Sequence, residues 1–119
     1  MHSQYCTSGK IPGKVFIKDG ERCWIVNPDE IFLLESERNY SRVYFQNNKP
    51  LVYKSLIAVE GRIDPSKFVR VNRRQIINLD FIKSTRMSPD SSMILILQNG
   101  ATVEVSRRNV QRLKSVLSF

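Results

Sequence analysis

Asn99-Gly100 lies between two apolar runs, Met93-Ile94-Leu95-Ile96-Leu97 and Thr102-Val103-Glu104-Val105. This dipeptide closes a tight turn because glycine takes a positive φ without a Cβ clash, so the runs are predicted to fold back as antiparallel strands. Asp19-Gly20 repeats the signal between Val15-Phe16-Ile17 and Cys23-Trp24-Ile25-Val26. Further short strands are expected at Ile31 to Glu35, Val43-Tyr44-Phe45, Leu51-Val52-Tyr53, Phe68-Val69-Arg70-Val71, Ile76-Ile77-Asn78-Leu79 and Phe81 to Arg86. Polar turns at Asn47-Asn48-Lys49-Pro50 and Ser88-Pro89-Asp90-Ser91 separate several of them. The unbroken apolar run 93–97 predicts a strand covered on both faces.

Two helices interrupt this pattern. Ser55 is placed to cap one whose apolar positions Leu56, Val59 and Ile63 share a face, with Pro65 ending it. Ser106 is placed to cap the other, with Val110, Leu113, Val116 and Leu117 on one face and Arg108, Gln111, Arg112 and Ser115 opposite. Asn27-Pro28-Asp29-Glu30 adds a single helical turn, with Asn27 as cap. The fold class is mainly β. Residues 1–13 are polar, carry Gly9, Pro12 and Gly13, and read as a linker or leader; residues 14–119 form one domain.

The chemistry of an enzyme is poorly supplied. The one histidine, His2, falls in the leader, so no imidazole is at hand to activate a serine or cysteine. No glycine-rich phosphate loop, dinucleotide fingerprint or Cys/His cluster occurs. The chain is read as no enzyme, with no cofactor and no metal. The two cysteines, Cys6 and Cys23, make no disulfide framework, and no signal peptide or membrane span is visible, so a reducing, cytoplasmic setting is expected.

Charge points instead to a polyanion. The net charge is +8 over 119 residues. From Arg62 onward eleven basic residues stand against four acidic ones, so +7 of that excess lies in the second half. Three clusters pair arginine with Ser, Asn or Gln: Tyr40-Ser41-Arg42, Asn72-Arg73-Arg74-Gln75 and Ser106-Arg107-Arg108-Asn109. A guanidinium forks onto guanine O6/N7 and an amide suits adenine. The third cluster opens a helix, where each positive charge opposes the helix dipole by about 0.3–1 kcal/mol. A phosphate there would satisfy the free backbone N–H groups and both arginines together. The alternative reading is a basic β domain for RNA or single strands, with Tyr5, Tyr40, Tyr44 and Tyr53 as stacking candidates.

From about Val15 to Leu117 the chain resembles the LytTR DNA-binding domains of bacterial response regulators and related transcription factors. The resemblance rests on Asp29-Glu30-Ile31-Phe32-Leu33-Leu34-Glu35-Ser36, Lys54-Ser55-Leu56, the run Phe68 to Leu79, Phe81-Ile82, and Val105-Ser106-Arg107-Arg108 with the closing helix. It implies an elongated stack of small, mostly antiparallel sheets with two short helices. It also implies DNA contacts from loops and strand ends entering successive major grooves; two loops inserted on one face would favour a bent duplex. Carried over position by position, base contacts are expected at Ser41, Arg42, Asn72, Arg73, Arg74 and Arg108. Backbone contacts are expected at Lys54, Arg70, Lys83, Ser106 and Arg107, with Arg70 also a candidate to brace the fold. The chain departs from the family pattern at Ser41, Asn72 and Arg74, so base preference does not carry over. The implied partners are double-stranded DNA at promoter direct or inverted repeats and a receiver or sensor domain, fused or separate. The isolated chain is expected to be a monomer that pairs on DNA.

Overall fold

The structure is a computed structural model that describes residues 10–11, 14–90 and 92–117. The chain divides into two compact units after Arg62. In the first, strands β1 (Lys10–Ile11), β2 (Lys14–Asp19) and β3 (Arg22–Val26) form an antiparallel sheet in that order. Asp19 lies opposite Arg22, and Gly20 turns the chain with φ +65°. Alternation sends Ile17 and Val26 inward and leaves Ile25 exposed. The leader expected over residues 1–13 lies outside the described residues except for Lys10–Ile11.

Asn27 caps the predicted single turn by accepting from the Asp29 N–H at 3.1 Å. Strand β4 (Ile31–Glu37) follows, then β5 (Tyr40–Phe45) and β6 (Leu51–Val52), with β5 pairing antiparallel to both. Ile31 to Leu34 are all buried, so this end of β4 has no solvent face. Phe45, buried, meets the edge of Trp24 at 5.9 Å between ring centroids. Asp19 accepts the Leu51 N–H at 3.0 Å, which ties the first hairpin to β6. Ser55 caps helix α1 (Leu56–Glu60) through the Ala58 N–H at 3.2 Å. The helix is shorter than its apolar spacing predicted, and only Leu56 is buried in it.

In the second unit, β7 (Phe68–Asn72) and β8 (Gln75–Asn78) form a hairpin. A short turn of 3-10 helix at Leu79–Phe81, capped by Asn78, leads into β9 (Ile82–Met87). Strands β9, β10 (Met93–Leu97) and β11 (Thr102–Val105) make an antiparallel sheet with β10 central. The Asn99-Gly100 turn forms as predicted, with Gly100 at φ +91° and Asn99 accepting the Ala101 N–H at 3.0 Å. In the β9–β10 turn Asp90 accepts from the Ser92 hydroxyl at 2.7 Å and the Ser92 N–H at 3.1 Å. These bonds hold its carboxyl below the ordinary range. Any stability they add is present above the ordinary carboxylate value and is lost as pH falls through the lowered one.

Two expectations change here. Met93, Leu95 and Leu97 are buried while Ile94 and Ile96 are half-buried, so β10 has one fully covered face rather than two. Helix α2 (Arg107–Leu117) buries Val110 and Leu113, but Val116 and Leu117 stay exposed. Apolar spacing marks the face of a helix, and the length of the partner surface decides how many turns are covered.

Leu113→Ala is expected to cost about 2–5 kcal/mol, because Leu113 is fully buried and its deletion leaves a cavity. Ile57→Ala, at a side chain 76% exposed, should change stability by less than about 0.5 kcal/mol. Urea titration of the two variants measures both.

Candidate nucleic-acid interface

In the first unit the structure engages Ser41 and Arg42, both expected to contact bases, within the fold. Ser41 is fully buried, and its hydroxyl donates to the Lys54 carbonyl at 2.8 Å. Residues alternate faces along a strand, and Ser41 falls on the inward face of β5 between Tyr40 and Arg42. Ser41, expected to contact a base, thus makes an internal tie to the Tyr53–Lys54 segment in this structure. Arg42 is also committed. Its Nε and Nη2 donate to Glu37 at 2.8 and 3.0 Å, and Nη1 donates to the Lys49 carbonyl at 2.7 Å. The bond to Glu37 keeps the guanidinium protonated even above its ordinary range. With its charge balanced and all three nitrogens bonded, Arg42 fastens the strand to the Lys49 loop.

What the hairpin does present is its turn, Arg38-Asn39, exposed between β4 and β5. Arg38 has φ +60°, in the left-handed region that disfavours a side chain by roughly 1–2 kcal/mol. In the sequence the pair shows only as an arginine beside an asparagine between two apolar runs. Behind the turn, Tyr40 and Tyr53 are exposed by 41% and 73% and pack on each other at 4.9 Å between ring centroids. Tyr44 faces elsewhere, donating its hydroxyl to Glu35 at 2.9 Å. Burial, together with that carboxylate, pushes its phenol above the ordinary value.

In the second unit the basic clusters come together. The β7–β8 turn holds Arg73 and Arg74, both exposed. Asn72 builds the turn: its Oδ1 accepts the Arg74 N–H at 2.9 Å, while its amide nitrogen donates to Gln75 Oε1 at 2.9 Å and to the Glu104 carbonyl at 2.7 Å. Both amide hydrogens are thus engaged. Adenine readout needs a donor and an acceptor from one amide, and here the amide of Asn72, expected to contact a base, is spent within the fold. Arg70 likewise braces the fold, donating from Nη1 to the Arg73 carbonyl at 2.9 Å.

Glu104 leads through Val105 and Ser106 into α2, and the Ser106 N–H bonds the Val71 carbonyl at 2.9 Å. The start of α2 is therefore stitched to the base of the arginine turn. The Ser106 carbonyl accepts the Asn109 and Val110 N–H groups at 2.8 and 3.1 Å, the first bonds of the helix itself. The Ser106 hydroxyl accepts from the Asn109 side chain at 2.9 Å. Arg107 and Arg108 are exposed on the first turn of α2. Lys83 is exposed on β9, an edge strand of its sheet, and Lys54 is half-buried in the first unit. Among the described residues no three His, Cys, Asp or Glu side chains are grouped to hold a metal. No described helix is long and apolar enough to cross a membrane.

A mostly antiparallel β chain that gathers two arginine pairs, one on a strand turn and one on a helix start, has the features of a nucleic-acid-binding module. A family model described as LytTr DNA-binding domain matches residues 21–118. The CO-responsive transcriptional regulator RcoM of Rhodospirillum rubrum is 31% identical over 108 residues, which cover 89% of this chain and 45% of that protein. The sensory transduction protein LytT of Bacillus subtilis is 28% identical over 104 residues, covering 87% and 43%. A solved LytTr DNA-binding domain from Bacillus cereus shares the fold, with a TM-score of 0.81 at 23% identity, over 90% of this chain and 98% of that one. The chain belongs to the LytTR family of DNA-binding domains of transcriptional regulators. It spans less than half the length of the curated relatives just described.

Because the Arg42–Glu37 pair carries no net charge, replacing both residues by alanine should leave the salt dependence of duplex binding unchanged. Arg38→Gly should raise the melting temperature by relieving the left-handed turn, yet weaken duplex binding. Thermal melts and salt titrations of the two variants are the check.

Proposed function

We propose that this chain is the sequence-specific, double-stranded DNA-binding module of a cytoplasmic transcriptional regulator. The observation that carries the reading is the convergence of Arg73-Arg74 and Arg107-Arg108 on one stitched substructure. Four exposed cations held by backbone-anchored turns match a duplex, whose phosphates give affinity and whose groove edges give selectivity. Arg73 and Arg108 read bases, Arg74 supports them, and Arg107, Lys83 and Lys54 contact the backbone. In the first unit the contact falls to the Arg38-Asn39 turn in place of Ser41 and Arg42. The two units address successive major grooves and bend the duplex, whose elastic cost is of order 1–6 kcal/mol. A monomer in isolation, the chain pairs on repeated promoter elements, with a receiver or sensor domain supplying regulation. The regulators named among its relatives support this assignment.

The exposed Tyr40–Tyr53 pair favours a second reading, stacking on single strands. A gel-shift comparison of duplex DNA, single strands and RNA at fixed salt separates the two, and preference for single strands would reject the first.

Arg73→Ala and Arg108→Ala are each expected to lower specific affinity by about 1–3 kcal/mol and to relax preference at particular base pairs. Randomised-site selection reads this, and unchanged preferences would remove the residue from the readout set. Arg107→Ala should weaken all duplexes alike and reduce the salt slope by about one unit. Fluorescence transfer across the bound site measures the bend, and a straight duplex would refute it.

A further inference from the structure

We propose that Asn72 is a positioning residue that locks the arginine turn and the start of α2 into one reading head, so that Arg73 and Arg108 select their base pairs jointly. This role rests on the DNA-binding reading above. The Asn72 side chain is bonded at once to the β7–β8 turn and to β11, through the Arg74 N–H on one side and the Glu104 carbonyl on the other. Gln75 Oε1 takes the second amide hydrogen at 2.9 Å, which fixes the plane of the amide and aims the first at Glu104. Two residues beyond Glu104, the Ser106 N–H closes the frame on Val71, the neighbour of Asn72. The frame therefore has two rungs between β7 and the β11–α2 junction, one from a side chain and one from the backbone.

The chemistry of the rung explains the residue type. Asparagine supplies an acceptor for the turn and two donors on a planar group short enough to stay within the hairpin. Aspartate would keep the turn acceptor but set a carboxylate against two oxygens. Serine would cap the turn and fall short of β11. Without the side-chain rung the Arg73-Arg74 turn keeps its own hairpin and the Ser106–Val71 rung at its base, but its aim relative to Arg108 is less closely fixed. Bidentate base contacts depend on such alignment, whereas phosphate attraction tolerates its loss. The device thus acts on selectivity and leaves general affinity for duplexes in place.

The test compares Asn72→Ala and Asn72→Ser with the unmodified chain by randomised-site selection, salt titration and thermal melting. Arg73→Ala and Arg108→Ala first define which base pairs each arginine selects. Both Asn72 variants are expected to weaken those two preferences together, lowering the ratio of best site to scrambled duplex by roughly tenfold. The salt slope should stay at its original value. A new loss at a separate base pair, with the two arginine preferences intact, would make Asn72 a base reader and overturn the proposal. So would loss of the Arg73 preference alone, or a lowered melting temperature with unchanged preferences. Failure of both variants to fold would mark Asn72 as a residue of stability only, and would overturn the proposal as well. An unmodified chain that selects no duplex sequence would instead defeat the DNA-binding reading on which the role depends.

Discussion

The Glu104 carbonyl accepts the Asn72 amide at 2.7 Å, and that bond ties the arginine turn of the second unit to β11. Arginine is long and flexible, and an exposed guanidinium has little preferred direction of its own. Its usefulness for recognition depends on how firmly its backbone is held. Here the backbone of Arg73 is gripped from two sides, by the Asn72 cap at Arg74 and by the Arg70 guanidinium at its own carbonyl. The backbone of Arg107 and Arg108 is gripped by the Ser106–Val71 bond and by Leu113, which buries α2 against its unit.

Those anchors also account for an electrostatic conflict. Two arginines at the N-terminus of α2 oppose the dipole, and a neighbouring turn adds two more positive charges. Such a surface is tolerated in the free chain because water screens exposed charges and the buried apolar residues of β7, β8, β10 and β11 supply the stability. The first unit handles charge in the opposite way. Arg42 is neutralised by Glu37, so the hairpin there offers shape at its Arg38-Asn39 turn more than a concentrated field.

Most of the strands and both helices were legible from the amino-acid sequence, since turn dipeptides, caps and apolar periodicity are local signals. Asp19-Gly20, Asn99-Gly100, Ser55 and Asn27 all act as their chemistry predicts. The basic clusters were legible as well, because charge is a property of composition. The family resemblance, carried by the run from Phe68 to Leu79 and by the closing helix, agrees with the family model and the shared fold.

The sequence alone thus determined the β character, the positions of the turns, the family and the location of the positive charge. Only the tertiary structure decided which polar residues of each cluster face outward. Ser41 and Arg42 look like a recognition pair in sequence, yet the pleat buries one and an ion pair with Glu37 holds the other. Asn72 looks like a base reader, yet β11, more than thirty residues away in sequence, takes its donor. The reason is physical: a hydrogen bond forms with whatever partner the folded chain brings within about 3 Å. For these side chains that partner comes from another strand or loop, which residue type and spacing do not specify.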